Sequence, residues 1–410
     1  MRAFPASTLA VVAATHEEMR RATAGLTMPL LQCVTGPGPT RAADAVRKLL
    51  GEQRVDRMAL VGFAGGLDPR FKVADVVTPR TVIDDGGRTT QLFTGVQGQT
   101  ILTVSHIVAS PEDKRRLFEQ RRAAAVDMES FAVAQVAAER RVPLTVIRAI
   151  SDPADEALPA ESLHWITDDG QIDTGAVTRY LATHPWRLPA MLKLKANADA
   201  AGEALAAALA EWATQTTILI YGGALDPPHN AHVRLPELVR QALGADVIYY
   251  IPAARPPLKS SPVDASADDR VAMLRLALRD QPRAQVLTDE LDRAGDGRPS
   301  YTVDTLEGLR QRLGPHVRMR LLIGADQARQ FEQWRDWRRV VELAEPVVML
   351  RPPDTRESLS AEWRDRVVEV PVMDVSSTEI RRRVAAGESI DQWVPPAVLD
   401  YIRDRGLYKR

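Results

Sequence analysis

The sequence predicts an α/β protein of two domains, and three observations carry that expectation. The chain has 410 residues, against roughly 150 for a typical domain. Short apolar runs such as Met58-Ala59-Leu60-Val61-Gly62-Phe63 and Thr217-Ile218-Leu219-Ile220 alternate with amphipathic stretches, the pattern of a sheet covered by helices. Glycine-rich turns follow these runs, and in α/β sheets sites lie beyond the carboxyl ends of strands. The expected division is a domain over residues 1–187, an alanine-rich helix or linker over 188–215, and a second domain over 216–410.

Composition narrows the class of partner. A hydrophobic share of 45% and a charged share of 26% suffice for a core in each half. The net charge of −1 argues against a general nucleic-acid binder and points to small molecules. Cys33 is the single cysteine, so no intramolecular disulfide forms, which suits a reducing compartment. No segment approaches the roughly 20 apolar residues that cross a bilayer. The expectation is a cytoplasmic protein with no membrane or nucleic-acid partner.

In the first half, Leu9 to Ala14 reads as a strand, and Thr15-His16-Glu17-Glu18 turns into a helix. Thr35-Gly36-Pro37-Gly38-Pro39-Thr40 is a turn before an amphipathic helix carrying Ala42, Ala43, Val46, Leu49 and Leu50. Met58 to Phe63 is a buried strand entering Ala64-Gly65-Gly66, and Leu144 to Ile150 is a strand that delivers Ser151-Asp152. Between residues 188 and 215, Leu205, Leu209 and Trp212 form a narrow apolar stripe on an alanine-rich helix. That stripe is expected to pack back on the first domain, since a free spacer would expose Trp212.

Gly36-x-Gly38-x-x-x-Ala42, Ala64-Gly65-Gly66-Leu67, Val126-Asp127-Met128-Glu129-Ser130 and Arg148-x-x-Ser151-Asp152 together resemble the superfamily of purine nucleoside phosphorylases and methylthioadenosine/S-adenosylhomocysteine nucleosidases, and most of all its shorter hopanoid-associated members. The resemblance implies a phosphorylase-like α/β domain that cleaves a purine nucleoside at its glycosidic bond. Such cleavage passes through a cationic sugar, so an anion near the ribose and an acid at the base are needed. By resemblance Glu129 would hold the ribose hydroxyls, Met128 would pack on the sugar, Asp152 would protonate the base, and Glu17 would activate water. Gly36, Gly38, Gly65, Arg148 and Ser151 would complete the nucleoside or phosphate site. Whether water or phosphate attacks stays open, as does a domain that only binds or oligomerises, because Glu129 could serve a packing helix and Asp152 could cap the segment before Pro153.

The second half opens on Tyr221-Gly222-Gly223-Ala224-Leu225-Asp226-Pro227-Pro228-His229-Asn230-Ala231-His232. The glycines let backbone approach a ligand, and the turn into a helix makes an anion site. His229 and His232, three apart, share one helix side and can act on one anion. A metal is the other reading of H-x-x-H, but the glutamate of a metalloprotease helix is missing. Leu235 to Leu243 continues the helix, with Pro236 expected in its first turn or at a kink. Asp246 to Ile251 is the next strand, ending at Pro256-Pro257-Leu258-Lys259. A helix from Asp268, the loop Arg298-Pro299-Ser300-Tyr301-Thr302, the strand Leu321 to Ile323 with Gly324-Ala325-Asp326, Trp334-x-x-Trp337, and Ser376-Ser377-Thr378-Glu379-Ile380-Arg381 follow. The last places three hydroxyls at a helix start.

The stretch 221–232 resembles the signature of the nucleotidyltransferase superfamily, with Leu225 where Phe is usual and Ala231 where Gly is usual. The later motifs, in this order, resemble bacterial nicotinate-nucleotide adenylyltransferase along 217–410, with Leu258 departing from the usual His. This implies a Rossmann-like domain with a parallel sheet. Its implied chemistry is transfer of AMP from ATP to nicotinate mononucleotide, with Mg²⁺ accompanying ATP. His229 and His232 would act at the phosphates. Gly222, Gly223, Asp226, Lys259, Ser376, Ser377, Thr378 and Arg381 would bind ATP, and Tyr301, Thr302, Asp326 and Trp334 the pyridine nucleotide, a buried structural Trp being the plainer reading of Trp334. Nicotinamide mononucleotide or another phosphorylated acceptor is the alternative. The reading as a whole is a bifunctional fusion, and it leaves a homo-oligomer open.

Overall fold

The computed structural model describes residues 8–409 except 93, 160–164, 166, 168, 172, 255–263, 294–299, 316 and 351–353. The chain forms two compact α/β units, over residues 6–214 and 215–410. Among the described residues no helix is long and apolar enough to cross a membrane.

The first unit is built on β1 (Leu9–Ala13), β2 (Leu31–Val34), β3 (Arg57–Gly66), β4 (Val76–Val77), β5 (Pro79–Asp84), β6 (Thr89–Gln91), β7 (Val96–Thr103), β8 (Ala125–Asp127) and β9 (Leu144–Asp152). Its sheet runs β2-β1-β3-β8-β7-β5-β6, with β9 beside β3 and β4. Strands β1, β3 and β9 are parallel and nearly fully buried, which is why they read as unbroken apolar runs. One face packs on the helices Pro39–Glu52 and Ser130–Arg140 through Val46, Phe131, Val133 and Val136. The other receives the helix Leu188–Thr214, whose Leu205, Leu209 and Trp212 lie with Val11, Val61 and Ile147. The Trp212 indole N–H also donates to Thr145 Oγ1 at 3.0 Å, which satisfies its one buried donor.

The second unit is a parallel sheet of β10 (Thr217–Gly223), β11 (Val247–Pro252), β12 (Ala284–Val286), β13 (Arg318–Gly324), β14 (Glu345–Met349) and β15 (Val367–Val368). Its order is β12-β11-β10-β13-β14-β15, so the chain reverses its direction of travel between β10 and β13. That is the doubly wound arrangement, whose crevice opens at the strand ends beside the reversal.

The helix Asn230–Leu243 carries Pro236 well inside it, not in the first turn. Proline has no N–H to return to the carbonyl four residues back, that of His232. The Tyr250 hydroxyl donates to that carbonyl at 3.1 Å instead, and the helix runs on.

Candidate active sites

In the second unit, β10 ends at Gly222 and Gly223, the chain turns, and His229 caps the helix that holds His232. The two imidazoles are nearly buried and stack with centroids 3.5 Å apart and planes 17° from parallel. Tyr221 and Tyr250 pack edge to face at 5.7 Å, and Tyr221 lies 6.2 Å from His232, so an aromatic floor fixes that ring.

A cavity of about 450 Å³ opens beside this turn, at the carboxyl ends of β10, β11 and β13. Gly222, Gly223, Tyr301, Thr302, Asp326 and Trp334 all line it, so motifs separated by more than a hundred residues meet in one space. Trp334 leans on buried Phe331 with centroids 4.9 Å apart, which leaves a ring half-buried at the wall. Glu290 and Arg335 also line the cavity and were not singled out from sequence. Glu290 accepts from Ser300 Oγ at 2.6 Å and Thr305 Oγ1 at 3.3 Å; burial raises its pKa above the usual carboxylate value, although both hydroxyls and Arg293 oppose this. Its spacing of three residues from Arg293, just before Ser300-Tyr301-Thr302, was the available signal.

The Asp226 carboxylate, expected at phosphate, is turned to donors of the protein itself. The residue is 2% exposed, and its carboxylate accepts the N–H groups of Asp264, at 2.6 Å, and Ala265, and the hydroxyl of Tyr408. The Tyr408 hydroxyl is correspondingly raised in pKa, first by burial and then by Asp226. The serine and arginine cluster attaches to the same loop. Ser377 Oγ donates to the Pro227 carbonyl at 2.9 Å, and Arg381 donates to the Asp226 carbonyl at 2.7 Å and pairs with Asp264 at 2.5 Å. Ser376 is the helix cap, accepting from the Glu379 N–H at 3.2 Å, and Thr378 is exposed. Arg270, 2% exposed, donates to the carbonyls of Ala224 and Ala253, both at 2.8 Å, and so joins the turns after β10 and β11. Lys259 lies outside the described residues.

In the first unit Glu129 follows β8, Arg148 lies in the middle of β9 and Asp152 ends that strand. Arg148, 1% exposed, donates through Nε to Asp127 at 2.8 Å, through Nη2 to Glu129 at 3.2 Å and through Nη1 to the Val61 carbonyl at 3.3 Å. Each nitrogen of Arg148, expected at the nucleoside or phosphate site, is engaged inside the protein, where it holds the two carboxylates. Glu129 also accepts from the Gly38 N–H at 3.0 Å, so this donor of the glycine turn is committed. Burial pushes the Glu129 carboxyl up to about 7; Arg148 and the Gly38 N–H oppose this, while Asp127 and Glu18 add to it.

Glu17 does not face this cluster. It lies on the outer side of the helix His16–Ala22, bonded to Arg20 and to Arg21, the latter at 2.5 Å. Glu18 turns inward instead, with Oε2 on the Thr15 N–H at 3.0 Å and hydroxyl at 2.9 Å and Oε1 on the Phe63 N–H at 2.8 Å. The sequence held the signal, for Thr15-x-x-Glu18 is a capping box, which folds the glutamate back over the helix start. Gly62 makes this possible, because a side chain there would collide with Arg148 Nη1 and Glu18 Oε1.

Asp152 is 3% exposed and pairs at 2.7 Å with Lys114, itself fully buried. Lys114 Nζ also donates to the carbonyls of Asp152, Pro153 and Glu156 at 3.1, 2.9 and 2.8 Å. Burial raises the Asp152 pKa, and Lys114 and Ser151 oppose the rise. Ser151 Oγ donates to Asp152 at 2.7 Å, and Gly65 leaves room, since a side chain on it would meet Asp152 Oδ2 at 3.1 Å. Met128 is half-buried in the turn between Asp127 and Glu129, and Gly36 takes a positive φ of 76° ahead of the helix at Pro39. Among the described residues no group of three or more His, Cys, Asp or Glu side chains could hold a metal.

The cytidylyltransferase-like family model matches residues 220–383, and the phosphorylase superfamily model matches residues 11–101 and 96–182. A probable nicotinate-nucleotide adenylyltransferase of Thermus thermophilus is 40% identical over 190 residues, which are 46% of this chain and 98% of that one. The chain belongs, through its C-terminal half, to the nicotinate-nucleotide adenylyltransferase family. Similar proteins of the same description in Solibacter usitatus, at 39%, and Chromobacterium violaceum, at 36%, are covered over 98% and 97% of their lengths. The adenylyltransferase half is therefore a whole relative in extent, joined here to a phosphorylase-like half. A futalosine hydrolase mutant of Helicobacter pylori overlaps 50% of this chain and 97% of its own at 16% identity and a TM-score of 0.38, too slight a likeness to separate activities.

Proposed function

We propose that the C-terminal unit transfers AMP from ATP to nicotinate mononucleotide, giving nicotinate adenine dinucleotide and pyrophosphate. The observation that carries this reading is one cavity that Gly222, Gly223, Tyr301, Thr302 and Trp334 share, its glycines opening the turn that leads to the stacked His229 and His232. A phosphate oxygen of the mononucleotide attacks the α-phosphorus, and the bond to the bridging oxygen breaks, so pyrophosphate leaves. No covalent enzyme intermediate is needed, and catalysis rests on alignment and on stabilising developing charge. The glycines admit the phosphates, the histidine pair meets the charge at the transferring phosphorus, and Trp334 supports the pyridine. Mg²⁺ enters with ATP as part of the substrate, its ligands chiefly phosphate oxygens. The test is pyrophosphate release from ATP with nicotinate mononucleotide by wild type and His232→Ala. Turnover in the variant near that of wild type would refute the role.

The N-terminal unit is proposed to cleave a purine nucleoside, by water rather than by phosphate. Two observations favour water. The Gly38 N–H is already given to Glu129, and Glu18, Glu129 and Asp127 surround the one guanidinium of Arg148, an unwelcoming field for a phosphate dianion. Glu18 replaces Glu17 as the candidate that activates water. Base release from adenosine, 5′-methylthioadenosine and inosine, followed by chromatography with and without phosphate, tests it. Release independent of phosphate and lost in Glu129→Ala supports hydrolysis; release that needs phosphate contradicts it, and none from any nucleoside favours a binding module.

A further inference from the structure

The first unit presents an apolar patch to solvent where the helix Thr174–Thr183 turns through the short segment Pro185–Arg187 into the helix Leu188–Thr214. Trp186, Leu188 and Leu192 are 69, 48 and 59% exposed there, and the two leucines, four residues apart, share one face of their helix. The elbow is held in place by rings. Trp165, Tyr180, His184 and Trp186 follow one another with centroids 5.2, 4.7 and 5.3 Å apart, so the indole stands outward on an aromatic base. Around the patch, residues 174–198 include Arg179, Arg187, Lys193 and Lys195 and no aspartate or glutamate. Lys193 reaches Glu156 at 2.9 Å and Lys195 reaches Asp199 at 2.6 Å, while Arg179 and Arg187 are exposed. The flanking acids Asp173 and Asp199 each lie about 15 Å along their helices from the elbow.

We propose that this elbow docks the protein on the surface of an anionic lipid bilayer. Trp186, Leu188 and Leu192 enter the headgroup boundary, where an indole with an apolar body and a polar N–H is favoured. Arg179 and Arg187 meet the lipid phosphates. The contact is peripheral and needs no spanning segment, so it revises the expectation of no membrane partner, which rested on segments that cross. A second copy of the chain suits the patch less well. Three such side chains offer a few hundred Å², against the roughly 800 Å² per partner of a stable dimer. A two-fold contact would also set Arg179 and Arg187 against their own copies, and like charges repel.

The test is flotation of the full chain with vesicles of phosphatidylcholine alone and of phosphatidylcholine mixed with phosphatidylglycerol. Wild type is expected to bind the mixed vesicles about 10- to 30-fold more tightly, the worth of two cations near a charged surface, and to be released as salt is raised. Trp186→Ala and Leu192→Gln should each weaken that binding about 10-fold through lost apolar burial, with unchanged circular dichroism. Leu192 belongs to none of the stacked ring pairs, so its variant decides the matter even if Trp186→Ala disturbs the elbow. Arg187→Gln should cut the preference for the anionic vesicles about 5-fold. Binding to neither kind of vesicle would overturn the proposal, as would equal binding by wild type and Leu192→Gln. So would a chain that sediments as a dimer and becomes a monomer on Leu192→Gln, for the patch would then belong to a second copy.

Discussion

In the N-terminal unit the charged groups at the strand ends close on one another: Arg148 on Asp127 and Glu129, Lys114 on Asp152, with exposures from 0 to 7%. In the C-terminal unit Glu290, Asp326 and Arg335 instead stand around a cavity of about 450 Å³. The first arrangement is completed by folding, since a buried charge must find its partner within the protein. The second leaves donors and rings facing a space that a ligand fills. The difference teaches where to look for failure. Damage to the first unit's charges should appear as lost stability as well as lost base release, and damage to the second unit's as lost turnover with the fold kept.

The sharpest way to break that comparison is Arg148→Met, which leaves Asp127 and Glu129 buried without their cation. It is expected to cost about 3–5 kcal/mol, the usual result of removing one member of a buried pair, read as a shift in the urea midpoint of the first unit only. Should the midpoint hold, the carboxylates are not kept charged by Arg148. His232→Ala is the counterpart in the other unit: about 10²–10³-fold in kcat for dinucleotide formation, as for other groups that stabilise transition-state charge, with unchanged circular dichroism and unchanged base release.

A subtler difference is pH. Glu129 titrates near 7 when folded, above its ordinary 4.5, so the folded protein binds the extra proton. The stability tied to that proton is fully present below about pH 4.5 and is lost as pH rises through about 7. Unfolding midpoints of wild type should decline over that window relative to Glu129→Gln, with Asp127, Glu18 and Arg148 the other charged groups facing the carboxyl. Parallel pH profiles would contradict the shift. The smallest effect is Tyr250→Phe, which removes one hydrogen bond to the His232 carbonyl: about 0.5–1.5 kcal/mol of stability and a few-fold in kcat, checked by melting and turnover together.

The architecture was legible because parallel strands buried on both faces become apolar runs, and because β10, β11 and β13 each end in a recognisable turn. Gly222, Tyr301 and Trp334 were legible as motifs, though only folding puts them around one cavity. What the sequence hid is direction. Glu17 and Glu18 are neighbours, and which of them points inward depends on helix phase and on the Phe63 N–H, 45 residues away. Asp226 belongs to a motif associated with phosphate, yet its oxygens are claimed by Asp264, Ala265 and Tyr408, whose positions no local pattern reveals. Arg148 likewise reads as a ligand contact until its three carboxylate and carbonyl partners are known.

Pro236 and Tyr250 constrain the order in which this protein can change. With proline at 236, the Tyr250 hydroxyl gives the His232 carbonyl a hydrogen bond that residue 236 cannot return, so losing the hydroxyl first removes a bond from beneath the histidine. Replacing Pro236 with alanine first restores the chain's own donor, after which tyrosine and phenylalanine at 250 become nearly equivalent. The two substitutions therefore commute in the final molecule but not along the way, and a lineage or a designer can cross between the two pairings smoothly from one side only.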